Sequence, residues 1–97
     1  QVKALRTAQA GTLESNDIMI TVAPRPEGSG PDIEISSIVM AQYGETIQSV
    51  IRATLSEQGV TDVHIKAVDR GALDCTIQAR VLTALTRAGV ILKEECV

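Results

Sequence analysis

Apolar residues recur at every second position along residues 17–23, where Ile18, Ile20 and Val22 fall on one side of an extended chain. The positions between them hold Met, Thr and Ala. This pattern predicts a β-strand, because successive side chains of a strand point to opposite faces and branched residues pack well on a pleated surface. The pattern leaves open whether the strand is covered on one face or on both.

Residues 32–38 alternate again, with Ile33 and Ile35 facing the core and acidic or hydroxyl residues between them. All three prolines of the chain and two glycines separate this stretch from the first strand. Proline lacks an amide donor and glycine weakens extended structure, so the separating stretch predicts a loop. Two strands joined by a long hairpin loop are the simplest interpretation, and we expect the second strand to be antiparallel with one solvated face.

After Glu45, apolar residues recur at spacings of three and four, the period of one helix face. The pattern predicts an amphipathic helix over residues 45–58, and Gly59 follows in the usual position of a C-terminal cap. Residues 39–44 carry no clear pattern. The stripe predicted to be buried consists of Ile47, Val50, Ile51 and Leu55.

A third strand is predicted within residues 60–68, after a short turn at Thr61 and Asp62. Val63, Ile65 and Ala67 share one face of this stretch, and a histidine and a lysine occupy the other. Residues 69–71, Asp-Arg-Gly, are expected to end the strand.

A second helix is predicted over residues 74–88. Asp74 is a plausible N-cap residue, and Gly89 is a plausible stop. The apolar stripe of this helix is formed by Ile77, Val81, Ala84, Leu85 and Ala88.

The order strand, strand, helix, strand, helix predicts an α+β fold. We expect a two-layer sandwich in which two helices cover one face of a mainly antiparallel sheet of three to four strands. A fourth strand would come from the stretch before Ser15. Residues 1–97 are expected to form a single domain, with residues 1–9 and 90–97 loosely held.

Composition excludes several classes of partner. The net charge is −3 and the nine basic residues are scattered, whereas nonspecific nucleic-acid binding rests on clustered Lys and Arg. No apolar stretch approaches the roughly 20 residues that cross a bilayer, and the N-terminus lacks a continuous apolar signal segment. We therefore expect a soluble, cytoplasmic protein that binds neither nucleic acid nor membrane.

The residues that usually carry catalysis or bind metals are sparse. The chain has one histidine, His64, and two cysteines, Cys75 and Cys96, without the paired spacing of a metal site. Neither a nucleophile-elbow motif nor a glycine-rich phosphate loop is present. On these grounds alone the chain is a small α+β domain, and Ser15 is an exposed turn or cap residue before a strand.

Three separated blocks of the sequence, in order, carry a more specific signal. The first includes Gly-Thr-Leu-Glu-Ser at residues 11–15, the second Ser-Ser-Ile and Gln-Tyr-Gly within residues 36–44, and the third Asp-Arg-Gly-Ala-Leu-Asp-Cys at residues 69–75. These blocks resemble the acyl carrier protein of citrate lyase, the gamma chain of that enzyme. The sequence departs from the family pattern at Asn16, Tyr43 and Arg70.

The resemblance implies that Ser15 carries a phosphoribosyl-dephospho-coenzyme A arm through a phosphodiester, and that the chain is a carrier without catalysis of its own. It implies four partners: an alpha subunit that is a CoA-transferase, a beta subunit that is a citryl lyase, a transferase that installs the arm, and an enzyme that ligates acetate to it. The acetylated arm would exchange acetate for citrate on one subunit. The citryl thioester would be cleaved to oxaloacetate on the other.

Charged residues near Ser15 suggest further roles. Glu14 and Asp17 flank the serine and are hypothesised to help a partner recognise it, the alternative being ordinary solubilising charges. Arg70, Arg80 and Arg87 are considered as contacts for the phosphates of the arm, although solvated positions are the favoured interpretation.

Two other functions remain compatible with the sequence. The carrier of citramalate lyase has a similar arm and a similar reaction logic. A small interaction or ligand-sensing domain with an unmodified Ser15 is the alternative from a different class.

Overall fold

The computed structural model describes residues 4–37 and 40–93. In chain order the elements are β1 (Ala8–Ala10), β2 (Ile18–Pro24), β3 (Asp32–Ser37), α1 (Met40–Glu57), β4 (Val63–Asp69) and α2 (Asp74–Arg87). The strand expected before Ser15 is confirmed as β1, and Cys96 lies outside the described residues.

The four strands form one mixed sheet in the order β1-β2-β4-β3. β2 pairs antiparallel with β1 and with β4, whereas β3 pairs parallel with β4. The predicted hairpin between β2 and β3 is therefore wrong, because β4 lies between them, and the expectation that β3 is antiparallel is wrong as well. The reason is the connection: α1 carries the chain from β3 back to the start of β4, and such a crossover makes the two strands parallel.

The described residues cover one face of the sheet only. Ile18, Ile20 and Val22 of β2 are fully buried, and Ile20 and Val22 pair with residues of β4 that are buried on the same face. The alternate positions of β2 remain partly exposed. Both helices pack on the buried face, which confirms the two-layer sandwich and excludes burial of β2 on both sides.

The helix starts differ from the predicted ones. α1 begins at Met40, five residues before Glu45. The helix runs through Gly44, which is buried, and a glycine in this position lowers helix propensity and hides the periodic pattern. The N-cap of α2 is Leu73, which has an extended backbone and gives no side-chain cap, so the prediction that Asp74 is the cap is wrong.

Both helices end at a glycine with positive φ, as predicted. Gly59 has φ 69° and Gly89 has φ 97°. The amide after each glycine bonds back into the last turn, from Val90 to the Leu85 carbonyl at 3.0 Å in α2, with the equivalent bond also at 3.0 Å in α1. These are Schellman caps, which satisfy carbonyls that the helix leaves without partners.

Parts of both termini are anchored. The amides of Leu5 and Arg6 donate to the Ala88 carbonyl at 2.8 and 3.2 Å, and the Lys93 amide donates to the Gln58 side chain at 2.7 Å. Residues 1–3 and 94–97, which belong to the ends expected to be loosely held, lie outside the described residues.

Ile51 of α1 tests the packing of the helices on the sheet. Its side chain is fully buried in the core. Ile51→Ala is expected to lower the free energy of unfolding by about 2 to 5 kcal/mol, because it removes buried methyl groups and leaves a cavity. Chemical denaturation measures this loss. An unchanged unfolding midpoint would contradict the packing of α1.

Candidate attachment site at Ser15

Ser15 lies at the corner of a tight turn formed by residues 14–17. The Asp17 amide donates to the Glu14 carbonyl at 3.2 Å, which closes the turn. Asn16 has φ 65°, and it is the sole non-glycine residue with positive φ in the described part of the chain. Positive φ at the third position alone is typical of a type II turn, where Gly or Asn is favoured. Ser15 occupies the second position and is exposed.

The turn is fixed to the end of β4. The Asn16 amide donates to the Arg70 carbonyl at 2.8 Å, and the Arg70 amide donates to the Asp17 carbonyl at 2.9 Å. Two residues of one chain segment thus oppose one residue of the other, which is a β-bulge whose first residue has positive φ. The backbone on the C-terminal side of Ser15 is therefore held to the sheet.

The Asp17 side chain makes hydrogen bonds that stabilise the turn. It accepts hydrogen bonds from Thr12 Oγ1 at 2.7 Å and from Arg80 Nε and Nη2 at 3.0 and 3.3 Å. Its exposed fraction is 13%, against 39% for Arg80. Hydrogen bonds from Arg80, and then from Thr12 and the Ile18 amide, hold the pKa of the Asp17 carboxyl well below its usual range. Asp17 thereby links the turn to α2.

Asp69 holds the loop that faces the turn. Its carboxylate accepts bonds from the amides of Gly71 at 3.1 Å and Ala72 at 3.0 Å, and from the Ser37 hydroxyl at 2.7 Å. The residue is 1% exposed. Because Arg70 lies between Asp69 and this loop, the carboxylate fixes the segment to which the turn is bonded.

Gly11 makes a close backbone contact on the N-terminal side of the turn. Its φ is 96°, and a Cβ atom added there would lie 1.8 Å from the Ile18 carbonyl oxygen. No side chain fits at this distance. Glycine therefore allows the chain between β1 and the turn to cross directly against the start of β2.

The Ser15 hydroxyl itself is free to react with an external group. Within residues 4–37 and 40–93 it makes no hydrogen bond. His64 lies at the other end of the β2–β4 pair, opposite Ala23, and its Nδ1 is hydrogen-bonded to Asp32 Oδ2 at 2.8 Å. Ser15 therefore lacks an adjacent histidine that could act as its base.

The other residues singled out from the sequence are placed as follows. Glu14 is exposed beside Ser15, whereas the carboxylate of Asp17 is occupied by its bonds to Thr12 and Arg80. Arg87 Nη1 donates to the Gln9 carbonyl at 3.0 Å. Cys75 is a free, exposed thiol. Within the described ranges, no cluster of three or more His, Cys, Asp or Glu residues is able to hold a metal ion.

A groove of about 480 Å³ lies beside the same loop. Its walls come from α1, the end of β4 and the start of α2. The lining residues are Thr46, Ile47, Asp69, Gly71, Ala72, Leu73, Asp74 and Ile77. The groove and the turn thus share the segment that Asp69 holds in place.

Asp17→Asn should remove a contribution to stability that depends on pH. A carboxyl whose pKa is lower in the folded than in the unfolded state stabilises the fold above the unfolded value of about 3.9. We expect the variant to be about 1 to 2 kcal/mol less stable at neutral pH. The difference from wild type should shrink as the pH falls below about 4 through the lowered pKa. Urea melts across pH measure it, and a constant difference would contradict the prediction.

In the described part of the chain, neither helix is long and apolar enough to span a membrane.

Curated relatives share about half of their residues with this chain. A citrate lyase acyl carrier protein of Streptococcus uberis is 54% identical over 84 residues, which is 87% of this chain and 81% of that protein. Proteins of the same name from Halothermothrix orenii and Lacticaseibacillus casei are both 52% identical, over 86% and 84% of this chain and 86% and 78% of theirs.

A family model supports the family, and a solved structure shows the same fold. The model of the malonate decarboxylase delta subunit, an acyl carrier protein family, matches residues 5–88. A chain of a Pseudomonas malonate decarboxylase hetero-tetramer, solved with malonate, superimposes with a TM-score of 0.75 at 18% identity and covers 90% of this chain and 88% of that one. The protein is thus a non-catalytic carrier subunit, and it belongs to the acyl carrier protein family of citrate lyase.

Proposed function

We propose that the protein is the acyl carrier subunit of a citrate lyase and that Ser15 bears a covalently attached phosphoribosyl-dephospho-coenzyme A. The observation that carries the proposal is an exposed, unbonded hydroxyl within the described chain, at the corner of a turn fixed on both sides. The names of the relatives support the carrier role and citrate as the substrate of the complex.

The residues of the turn fit an attached phosphodiester. The Ser15 oxygen is the atom that forms the ester bond, and its exposure gives a modifying enzyme access. Asn16 and Asp17 hold the main chain next to it, so the point of attachment stays fixed while the group moves. When attached, the group supplies the thiol that bears acetyl and citryl thioesters.

The fixed point of attachment suits a carrier. A tethered group reaches partner active sites at a high effective concentration, set by the length of the tether. We propose that these sites belong to a CoA-transferase alpha subunit and a citryl lyase beta subunit in one hetero-oligomer. A modifying transferase installs the group, and an acetate-ligating enzyme activates it. A cytoplasmic location stays a prediction.

Intact mass spectrometry tests the function. The wild-type chain is produced in one host that contains the modifying transferase and in a matched host from which the transferase is deleted. We expect a mass increase of one phosphoribosyl-dephospho-coenzyme A, less water, in the first host alone. An unmodified chain in both hosts would favour the alternative of a small interaction or ligand-sensing domain.

The choice of substrate is a separate question. The family model and the superimposed structure carry the name of malonate decarboxylase, but that structure shares 18% identity with this chain, against 54% for a citrate lyase relative. Citramalate lyase remains an alternative with similar chemistry. The modified chain, added to each set of partner subunits, should support cleavage of citrate. Turnover with citramalate or malonate alone would assign it to another complex.

Glu14 is the residue of the turn best placed for recognition by a partner. It is exposed, and Asp17 acts through the shape of the turn because its carboxylate is bonded internally. We propose that both contribute to the rate of modification. Glu14→Lys changes a charge without touching the pair formed by Asp17 and Arg80, so an unchanged modification rate would remove the role proposed for Glu14.

A further inference from the structure

Arg70 is a cationic residue whose main chain is bonded to the turn that contains Ser15. Its main chain exchanges two hydrogen bonds with Asn16 and Asp17, so its Cα is held beside the turn. Its side chain is exposed. Within residues 4–37 and 40–93 its guanidinium makes no hydrogen bond or ion pair.

The other arginines near the turn are already occupied. Arg80 is bonded to both carboxylate oxygens of Asp17, and Arg87 donates to the Gln9 carbonyl. Of the three arginines considered from the sequence, Arg70 alone keeps all its donors available in the described structure. Of these three arginines, Arg70 is therefore the one whose donors all remain available, within the described residues, to a phosphate attached to Ser15.

Charge favours the guanidinium over the neighbouring groove. The groove offers apolar surface and the carboxylates of Asp69 and Asp74, which repel a phosphate. Arginine presents several N–H donors in a planar fork that matches two phosphate oxygens. Arg70 therefore attracts an anion attached to Ser15, whereas the groove does not.

We propose that Arg70 binds the phosphodiester on Ser15, an inference that rests on the proposed attachment. The guanidinium donates to the two non-bridging oxygens of the phosphate. The pairing orients the first bonds of the attached group relative to the turn, and leaves the distal part, with its thiol, free to reach the partner sites.

Phosphorus NMR of the purified modified chain, with no partner present, tests the contact. Arg70→Gln removes the charge, and Arg70→Lys keeps it without the fork. Lys66→Gln is the matched control: Lys66 is an exposed cation on β4, four residues before Arg70, and its Cα therefore lies about 13 Å from that of Arg70 along the extended chain. All three changes are at exposed side chains without internal bonds in the described structure, so the variants should fold.

The phosphodiester resonance should shift in Arg70→Gln, shift less in Arg70→Lys and stay at the wild-type position in Lys66→Gln. In about 1 M salt, where charges are screened beyond roughly 3 Å, the wild-type resonance should move toward that of Arg70→Gln. The initial rate of modification should fall about two- to five-fold in Arg70→Gln, the range of one exposed ion pair.

Two other results would contradict the proposed role of Arg70, and they can be told apart. Identical resonances in wild type and Arg70→Gln, or an equal shift in Lys66→Gln, would overturn the role of Arg70 while the mass increase still supports attachment at Ser15. If no wild-type chain acquires the mass increase, the proposed function fails first, and the role of Arg70 fails with it.

Discussion

Ser15→Ala is expected to abolish modification completely. The substitution removes the oxygen that forms the ester bond. It should leave the fold intact, because the side chain is exposed and the described structure gives it no hydrogen bond. Intact mass in the transferase-containing host should therefore show an unmodified chain, and the melting temperature should stay within about 2 °C of wild type.

Ser29→Ala provides the matched control for this loss. Ser29 is another exposed serine in a loop, in the segment between β2 and β3. We expect this variant to be modified at the wild-type rate. A mass increase that persists in Ser15→Ala, or one that disappears in Ser29→Ala, would move the attachment to another residue.

Gly11→Ala is expected to lower the stability of the fold strongly. An added Cβ would lie 1.8 Å from the Ile18 carbonyl oxygen, and the positive φ of 96° is strained for alanine. The contact involves main chain on both sides, so neither a rotamer change nor a flexible side chain relieves it. Adding the cost of overpacking to that of backbone strain gives a loss of about 3 kcal/mol or more.

Gly28→Ala separates the two causes of that loss. Gly28 has a similar φ of 84°, but an added Cβ there meets nothing within 4 Å. Alanine at residue 28 should thus cost about 1 kcal/mol, for the backbone conformation alone. Urea denaturation of both variants measures the difference. Equal losses would show that the close contact between Gly11 and Ile18 contributes nothing.

The sequence predicted those parts of the fold that depend on local pattern. Alternation identified the buried face of β2, and Gly59 and Gly89 marked the helix ends through the positive φ that each requires. The sequence pattern did not identify the strand with which β3 pairs. Ile33 and Ile35 face the core whether the strand runs parallel or antiparallel to its neighbour, so alternation specifies a face and leaves the pairing open.

The candidate site was predictable to a smaller extent. Turn-forming residues indicated that Ser15 is exposed, and the family resemblance suggested the chemistry proposed for it. The bond between Asp17 and Arg80 joins residues 63 positions apart, and no local pattern encodes such a pair. The same holds for the bulge that Arg70 forms with the turn, since it depends on the register of β2 and β4.

These long-range contacts explain how a small domain holds the Ser15 hydroxyl in an exposed position. The turn is bonded through Arg70 to the end of β4 and through Asp17 to α2. On its N-terminal side, Gly11 makes a close backbone contact with Ile18. Ser15 is left as the exposed corner of this framework. A carrier needs a fixed point of attachment and a flexible attached group.

Peptide mapping of the modified wild-type chain tests the attachment most directly. Cleavage after Glu14 and Glu27 releases residues 15–27, in which Ser15 is the sole serine. We predict that the whole mass increase is found on this peptide, and that fragmentation places it on the first residue. An increase on any other peptide, or on Thr21 within this one, would contradict the claim that Ser15 is the point of attachment.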